Sequence, residues 1–267
     1  MVGRLIGGAL YLGGKKPRHI TKVNLEICFP EDSGAERRAL MREHFDALGM
    51  GVIECAMCWW ARDEHLDTIT EVEGVELVDR VRAEGRGVLI LSCHATCSEL
   101  GLRLLHRAVG FDAIVYKPLK NPVLDYVSTR YRNKFGPMVA RKDIREAIRA
   151  MASGGTCLCV MDHAEGSKRS VLVPFFGEPK AMPTGPLRMA AMTGAAAVPV
   201  LMLRKPGNTG YRLILRPALR DFPSADPTAD ALRLIKVVEE QVELAPEQYS
   251  WAHPRFRKRR GEFESPY

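Results

Sequence analysis

Two short runs, Val88-Leu-Ile-Leu-Ser-Cys93 and Thr156-Cys-Leu-Cys-Val-Met161, constrain this chain most. Each is almost continuously apolar, with no polar face to turn to water. That pattern predicts strands buried on both sides, as in a parallel sheet covered by helices. Each run then breaks abruptly into polar residues: His94 with Glu99 after the first, Asp162-His163 after the second. Sites in open α/β sheets lie at the carboxyl ends of strands, so both breaks are candidate site positions.

The rest of the sequence fills in helices between strands. Ser33-Gly-Ala-Glu36 is a capping box opening a helix through Met41, Phe45 and Leu48, and the apolar stretch from Gly49 to Trp60 continues it. Helices are also predicted over Val75 to Ala83, Glu99 to Val109, Asn121 to about Lys134, Pro186 to Thr193 and Pro227 to Leu244, with a further one capped by Asp143. Ala113 to Tyr116 reads as a short strand. Val198 to Leu203 and Tyr211 to Leu215 read as an antiparallel pair across Pro206-Gly-Asn-Thr-Gly210. The expectation is an α/β fold with a mixed, mostly parallel sheet flanked by helices. It comprises a short apolar and basic N-terminal segment, 1–22, and one domain over 23–267.

The 267 residues carry a formal net charge of +7. A basic surface suits an acidic partner: nucleic acid, anionic lipid, a phosphorylated substrate or an acidic carrier protein. No zinc finger, RNA-recognition signature, helix-turn-helix, Walker loop or dinucleotide fingerprint is present, so nucleic acid is not expected. The seven cysteines are odd in number, mostly in apolar stretches, and no secretory signal precedes them. Cys55 and Cys58 have helical, aromatic neighbours and read as buried structural thiols. No stretch reaches the ~20 apolar residues of a membrane span. The first residues are apolar and glycine-rich and run into Lys15, Lys16 and Arg18, which fits either a packed first helix or a surface anchor facing anionic headgroups.

His94 and Glu99 form the first chemical candidate. A carboxylate beside a histidine fixes its tautomer and stabilises the imidazolium, making a general base. Five residues in a continuous helix amount to a rotation of about 140°, so the pair works only if His94 lies in the turn before the helix. The alternative, a loop histidine with an unrelated surface glutamate, stays open on spacing alone. The second candidate is Asp162-His163-Ala-Glu-Gly-Ser-Lys168-Arg169-Ser170, two carboxylates, a histidine and two cations suited to a phosphate. Further basic groups lie at Arg130, Arg132, Lys134, Arg141 and Lys142 and at Arg255 to Arg260. The last are interleaved with Trp251, His253 and Phe256, so part of that tail is expected to pack.

These residues, with Asn24-Leu-Glu-Ile-Cys-Phe-Pro-Glu31, Tyr116-Lys-Pro118, Asn121-Pro-Val-Leu-Asp125, Arg141-Lys-Asp143, Val171-Leu-Val-Pro-Phe-Phe176 and Ala245-Pro-Glu-Gln-Tyr-Ser-Trp-Ala-His253, resemble the bacterial lipid A biosynthesis acyltransferases, most closely the lauroyl or late group. The resemblance implies a glycerolipid-acyltransferase-like fold and transfer of a C12 to C14 chain from acyl carrier protein to a hydroxyl of a Kdo-bearing lipid A precursor. It maps the H-x4-(D/E) motif onto His94, as general base, and Glu99, as orienting acid. It assigns substrate contacts to Lys117, Arg130, Arg141, Asp162, His163, Lys168 and Arg169. No metal or cofactor is implied. Family members normally begin with a hydrophobic membrane helix, and this sequence starts about where that helix would end. The expected location is the cytoplasmic face of the bacterial inner membrane, held peripherally or by an anchor outside this sequence. Ala95 replaces the aromatic residue common after the motif histidine, and Lys117 replaces a common arginine, keeping charge but losing the bidentate fork.

Competing readings are a glycerol-phosphate-type phospholipid acyltransferase, which Glu165-Gly-Ser-Lys-Arg-Ser170 mimics, a glycolipid acyltransferase with another acceptor, a hydrolase using the same base, and a catalytically silent lipid- or carrier-binding module.

Overall fold

The structure, a computed structural model, describes residues 2–162, 170–257 and 265–267. Its centre is a seven-stranded sheet in the order β1-β9-β8-β2-β5-β3-β4. The strands are β1 (Thr70–Glu73), β2 (Val88–Ser92), β3 (Ala113–Tyr116), β4 (Met138–Ala140), β5 (Thr156–Val160), β8 (Ala196–Arg204) and β9 (Tyr211–Leu215). All neighbours are parallel except β8 and β9. A separate antiparallel hairpin joins β6 (Ser170–Phe175) to β7 (Glu178–Pro183).

Burial of β2 on both faces follows from its sequence. Leu89 and Leu91 enter one apolar cluster, with α8 (Arg145–Ala152), α9 (Gly185–Thr193) and α10 (Pro227–Leu244). Val88 and Ile90 enter the other, with α5 (Val75–Ala83) and α6 (Ser98–Val109). The 27-residue α3 (Gly34–Trp60) opens with the predicted capping box, Ser33 and Glu36 bonding each other's backbone N–H groups. It supplies Met41 and Phe45 to the first cluster and Cys58 to the second. At its middle, a Cβ on Gly51 would stand 2.5 Å from the Thr96 carbonyl oxygen, so the missing side chain lets α3 lie against the loop after β2.

Two helices precede α3. The glycine-rich start is α1 (Val2–Gly13), seated on α3 where a Cβ on Gly49 would fall 2.1 Å from the Gly3 carbonyl oxygen. The first segment therefore packs, while leaving Val2, Leu5 and Leu12 exposed. Next, α2 (Lys15–Cys28) runs unbroken through residue 22. No described helix is long and apolar enough to cross a membrane. The short α4 (Asp63–Thr68) leads into β1, and α7 (Pro122–Arg132) follows β3. Asn121 caps α7 as predicted, but the helix stops at Arg132. Asp143 does not cap α8: Arg141–Asp143 winds as a 3-10 turn and the helix begins at Arg145, with Ile144 at its cap.

The sheet leaves an opening at one end of its middle. The pairing of β8 with β2 ends at Pro199, yet β8 continues to Arg204. Buried backbone groups there need partners. Two glutamine amides supply them: Gln241 bonds both N–H and C=O of Met202, and Gln248 does the same for Arg204. Gln248 thereby anchors the segment that closes the candidate site.

Candidate active site

His94 lies two residues beyond β2, and Asp162 two residues beyond β5. The two strands pair in register, Ser92 against Val160, and Met161 N–H donates to the Ser92 carbonyl. Adjacent parallel strands thus deliver the two groups to one edge, as the strand pattern implied. Oδ1 of Asp162 takes the His94 backbone N–H at 3.1 Å and stands 2.5 Å from the ring Nδ1. Oδ2 accepts from the Tyr249 hydroxyl at 2.9 Å and from Arg255 Nη1 at 2.8 Å. Four donors use the full acceptor capacity of an ionised carboxylate.

The last part of the chain completes this arrangement. Ser250 N–H donates to the His94 carbonyl, Ala95 bridges to Tyr249, and Thr96 N–H donates to the Gln248 carbonyl. Asn24 on α2 holds the same segment through Nδ2 bonds to the carbonyls of Trp251 and His253. Trp251, Arg255 and Phe256 are buried, so the basic tail does pack at these positions. The Arg255 guanidinium also lies over the Tyr249 ring and donates to the Ser250 carbonyl. On the other side, Lys180 of β7 reaches the Asp162 carbonyl at 3.1 Å.

Asp162 is wholly buried. Burial alone would raise its pKa, but His94 and Arg255 outweigh it and hold the carboxyl well below the ordinary range. Burial depresses Lys180 to about 8, against the attraction of Asp162. A carboxylate fixed on Nδ1 requires the proton there in the neutral imidazole and leaves Nε2 as the basic nitrogen. The His94 side chain is 33% exposed. In geometry the arrangement matches the histidine–carboxylate half of a nucleophile–histidine–carboxylate relay.

Two expected residues have partners other than those expected. Asp162, expected to bind substrate, is enclosed by protein and hydrogen-bonds His94. Glu99, expected to orient His94, sits in the first turn of α6 and chelates Arg132 of α7, with Nη2 at 2.6 Å and Nε at 3.0 and 3.2 Å. The reason is directional: His94 stands in the loop before α6, its Nδ1 turned to β5, whereas Glu99 projects toward α7. Of the other expected substrate contacts, Lys117 and Arg141 follow the ends of β3 and β4 on this same edge, and Arg130 is exposed on α7 beside the Tyr126 hydroxyl. His163, Lys168 and Arg169 lie outside the described residues.

Behind the loop lies a second buried ion pair. Arg204 forks onto Glu54 at 2.7 and 2.8 Å, and the Tyr211 hydroxyl donates to the same carboxylate. Arg204 also reaches Thr96 Oγ1 at 3.5 Å, tying α3, β8 and the His94 loop together. All seven cysteines are free, Cys58 buried and Cys55 half-buried, and burial pushes the Cys58 thiol up to about 12. Among the described residues no cluster of three or more His, Cys, Asp or Glu could hold a metal.

The bacterial lipid A biosynthesis acyltransferase family model matches residues 2–258. The lipid A biosynthesis lauroyltransferase of Escherichia coli (strain K12) is 38% identical over 250 residues, 92% of this chain and 80% of that protein. The palmitoleoyltransferase of the same organism is 33% identical, with the same coverage of both chains. Its myristoyltransferase is 28% identical over 89% of this chain and 74% of its own.

Proposed function

Because the chain belongs to the bacterial lipid A biosynthesis acyltransferases, and is an acyltransferase of lipopolysaccharide assembly, we propose that it moves a C12 to C14 acyl chain from acyl carrier protein to a hydroxyl of a Kdo-bearing lipid A precursor. The observation that carries the mechanism is Asp162 on Nδ1 of a partly exposed His94 at the carboxyl edge of the sheet. Nε2 removes the proton as the acceptor oxygen attacks the thioester carbonyl. The resulting imidazolium is balanced by the Asp162 carboxylate, which Arg255 and Tyr249 hold in place. Collapse of the tetrahedral intermediate expels the carrier thiolate, which takes the proton from Nε2. The ester forms, the thioester breaks, and the base is restored without another reactant.

Glu99 fixes the Arg132 guanidinium, and a cation held in this way is assigned to stabilise an oxyanion or a substrate phosphate. Lys117 and Arg141 serve the acceptor's anionic groups from the same edge. His163, Lys168 and Arg169 keep their expected part in binding it. The working location is the cytoplasmic face of the inner membrane.

The test offers two acceptors with one donor, C12 or C14 acyl carrier protein. Acylation of the Kdo-bearing precursor in preference to lysophosphatidic acid supports the reading. The reverse preference would assign the chain to glycerolipid synthesis.

A further inference from the structure

The segment between β3 and the end of α7, residues 117–132, is bound to the rest of the fold unlike any other helix near the site. None of the residues of α7 is buried. Its described ties are at its carboxyl end, where Arg132 chelates Glu99 and the Tyr131 ring stacks on Trp59 at 4.4 Å. Yet the helix is firmly specified: Asn121 caps it, and Asp125 accepts the Leu119 N–H at 2.7 Å. Its outer surface is apolar. Leu119 is 47% exposed, Val123 67%, Leu124 56% and Tyr126 63%. Trp60, 66% exposed, extends this surface at the end of α3, edge-on to Tyr131.

Large apolar side chains clustered at this exposure ordinarily mark a surface covered by something else. Three observations select the occupant. Residues 117–132 hold four cations, Lys117, Lys120, Arg130 and Arg132, against one acid, Asp125, whose carboxylate is spent on the Leu119 N–H. Lys117, Lys120 and Arg130 are exposed among the apolar side chains. Finally, the segment leaves the carboxyl end of β3, the edge that carries His94 and Asp162. Apolar side chains ringed by cations match the boundary between anionic headgroups and acyl chains.

We infer that α7 and the turn before it form a membrane-seating element: Leu119, Val123, Leu124 and Tyr126 enter the surface of an anionic bilayer while Lys120 and Arg130 meet its headgroups, setting the His94 edge against the lipid. This rests on the proposed reading only in taking the acceptor from a membrane. The exposed face of α1, with Leu5 and Leu12, is a separate contact seated on α3. Through Arg132 and Glu99, the seated helix is tied directly to the first turn after the catalytic loop.

The test needs no substrate. Full-length protein is floated with vesicles of phosphatidylethanolamine containing a quarter phosphatidylglycerol, and with neutral phosphatidylcholine vesicles. Wild type should prefer the anionic vesicles. Val123→Ser with Leu124→Ser should lower partitioning at least tenfold with unchanged circular dichroism, since both side chains are exposed. Turnover of detergent-dispersed acceptor should stay at the wild-type level in that variant. Leu5→Ser with Leu12→Ser serves as the comparison for α1. Undiminished vesicle binding by the α7 variant would overturn the inference. So would retained binding with lost transfer from acyl carrier protein, which would give this face to the protein donor. Vesicle binding that fails in the α7 variant of a protein acylating only lysophosphatidic acid would sink the proposed acceptor and leave the membrane role standing.

Discussion

Replacing Asp162 by Asn tests the link between architecture and chemistry. The two carboxylate oxygens accept four bonds, two from His94 and one each from Tyr249 and Arg255. An amide offers one oxygen and one NH2 group. If the NH2 faces Tyr249 and Arg255, a wholly buried guanidinium loses its side-chain acceptor on Nη1 and keeps only backbone carbonyls. If it faces His94, Nδ1 must become the acceptor and the proton moves to Nε2, which then cannot act as base. The second arrangement keeps the guanidinium contact but turns the NH2 onto the His94 backbone N–H as well; losing one neutral acceptor costs less than unpairing a buried cation, so it is the cheaper one. Loss of general-base catalysis lowers kcat by about 10²–10⁴, or about 3–5 kcal/mol in the barrier. Acceptor KM should move little, because Asp162 is wholly buried among protein groups. Removing one charge of a buried pair costs about 3–5 kcal/mol of stability, so kinetics must be measured where circular dichroism and a urea titration show folded protein. A folded Asp162→Asn enzyme within a few-fold of wild-type kcat would refute the tautomer argument.

Other substitutions probe neighbouring claims. Glu99→Ala and Arg132→Ala should lower kcat alike, and the double variant should be little worse than either, because the glutamate works through the arginine; strictly additive losses would give Glu99 a task of its own. Lys180→Met tests the buried amine by pH. Its folded pKa of about 8 lies below the ordinary 10.5, so the folded state pays a full charging cost below pH 8 that fades as pH rises toward 10.5. Relative to wild type, the variant should therefore gain about 3 kcal/mol as pH falls across that window; a constant difference in urea-derived stability would contradict the depressed pKa. Glu54→Leu or Arg204→Met alone should cost about 3–5 kcal/mol, and the double variant less than either single one, as a thermal or urea series would show.

Much of the fold was legible because local patterns and tertiary demands agree. The apolar runs at 88–93 and 156–161 became the adjacent strands β2 and β5. Ser33 with Glu36 and Asn121 before Pro122 opened helices where capping chemistry requires. Agreement failed where polar residues serve buried tasks. The inner stripe of α2 includes Thr21 and Asn24 among Ile20, Leu25 and Cys28, which blurs its apolar period. The hairpin of β6 and β7 carries Pro174 opposite Pro179, and its turn places Phe176 at φ 50° before Gly177 at φ 82°, where Asn-Gly would have signalled it.

The site divides similarly. Strand ends located His94 and Asp162, but spacing favoured the nearer carboxylate, Glu99, over one 68 residues away. Tyr249 and Arg255 stand 87 and 93 residues from Asp162, and only the family-like segment Ala245–His253 and the aromatic spacing of the tail hinted that this region matters. Lys180 gave no signal, since nothing in Glu178-Pro-Lys180 marks an amine destined for burial.

The central claim is that His94 removes the proton from the acceptor hydroxyl. The most direct measurement is single-turnover acyl transfer from C12 acyl carrier protein to the Kdo-bearing precursor, comparing wild type with folded His94→Ala. The account expects the variant's rate to fall by at least a hundredfold. A folded variant that transfers at the wild-type rate would contradict it.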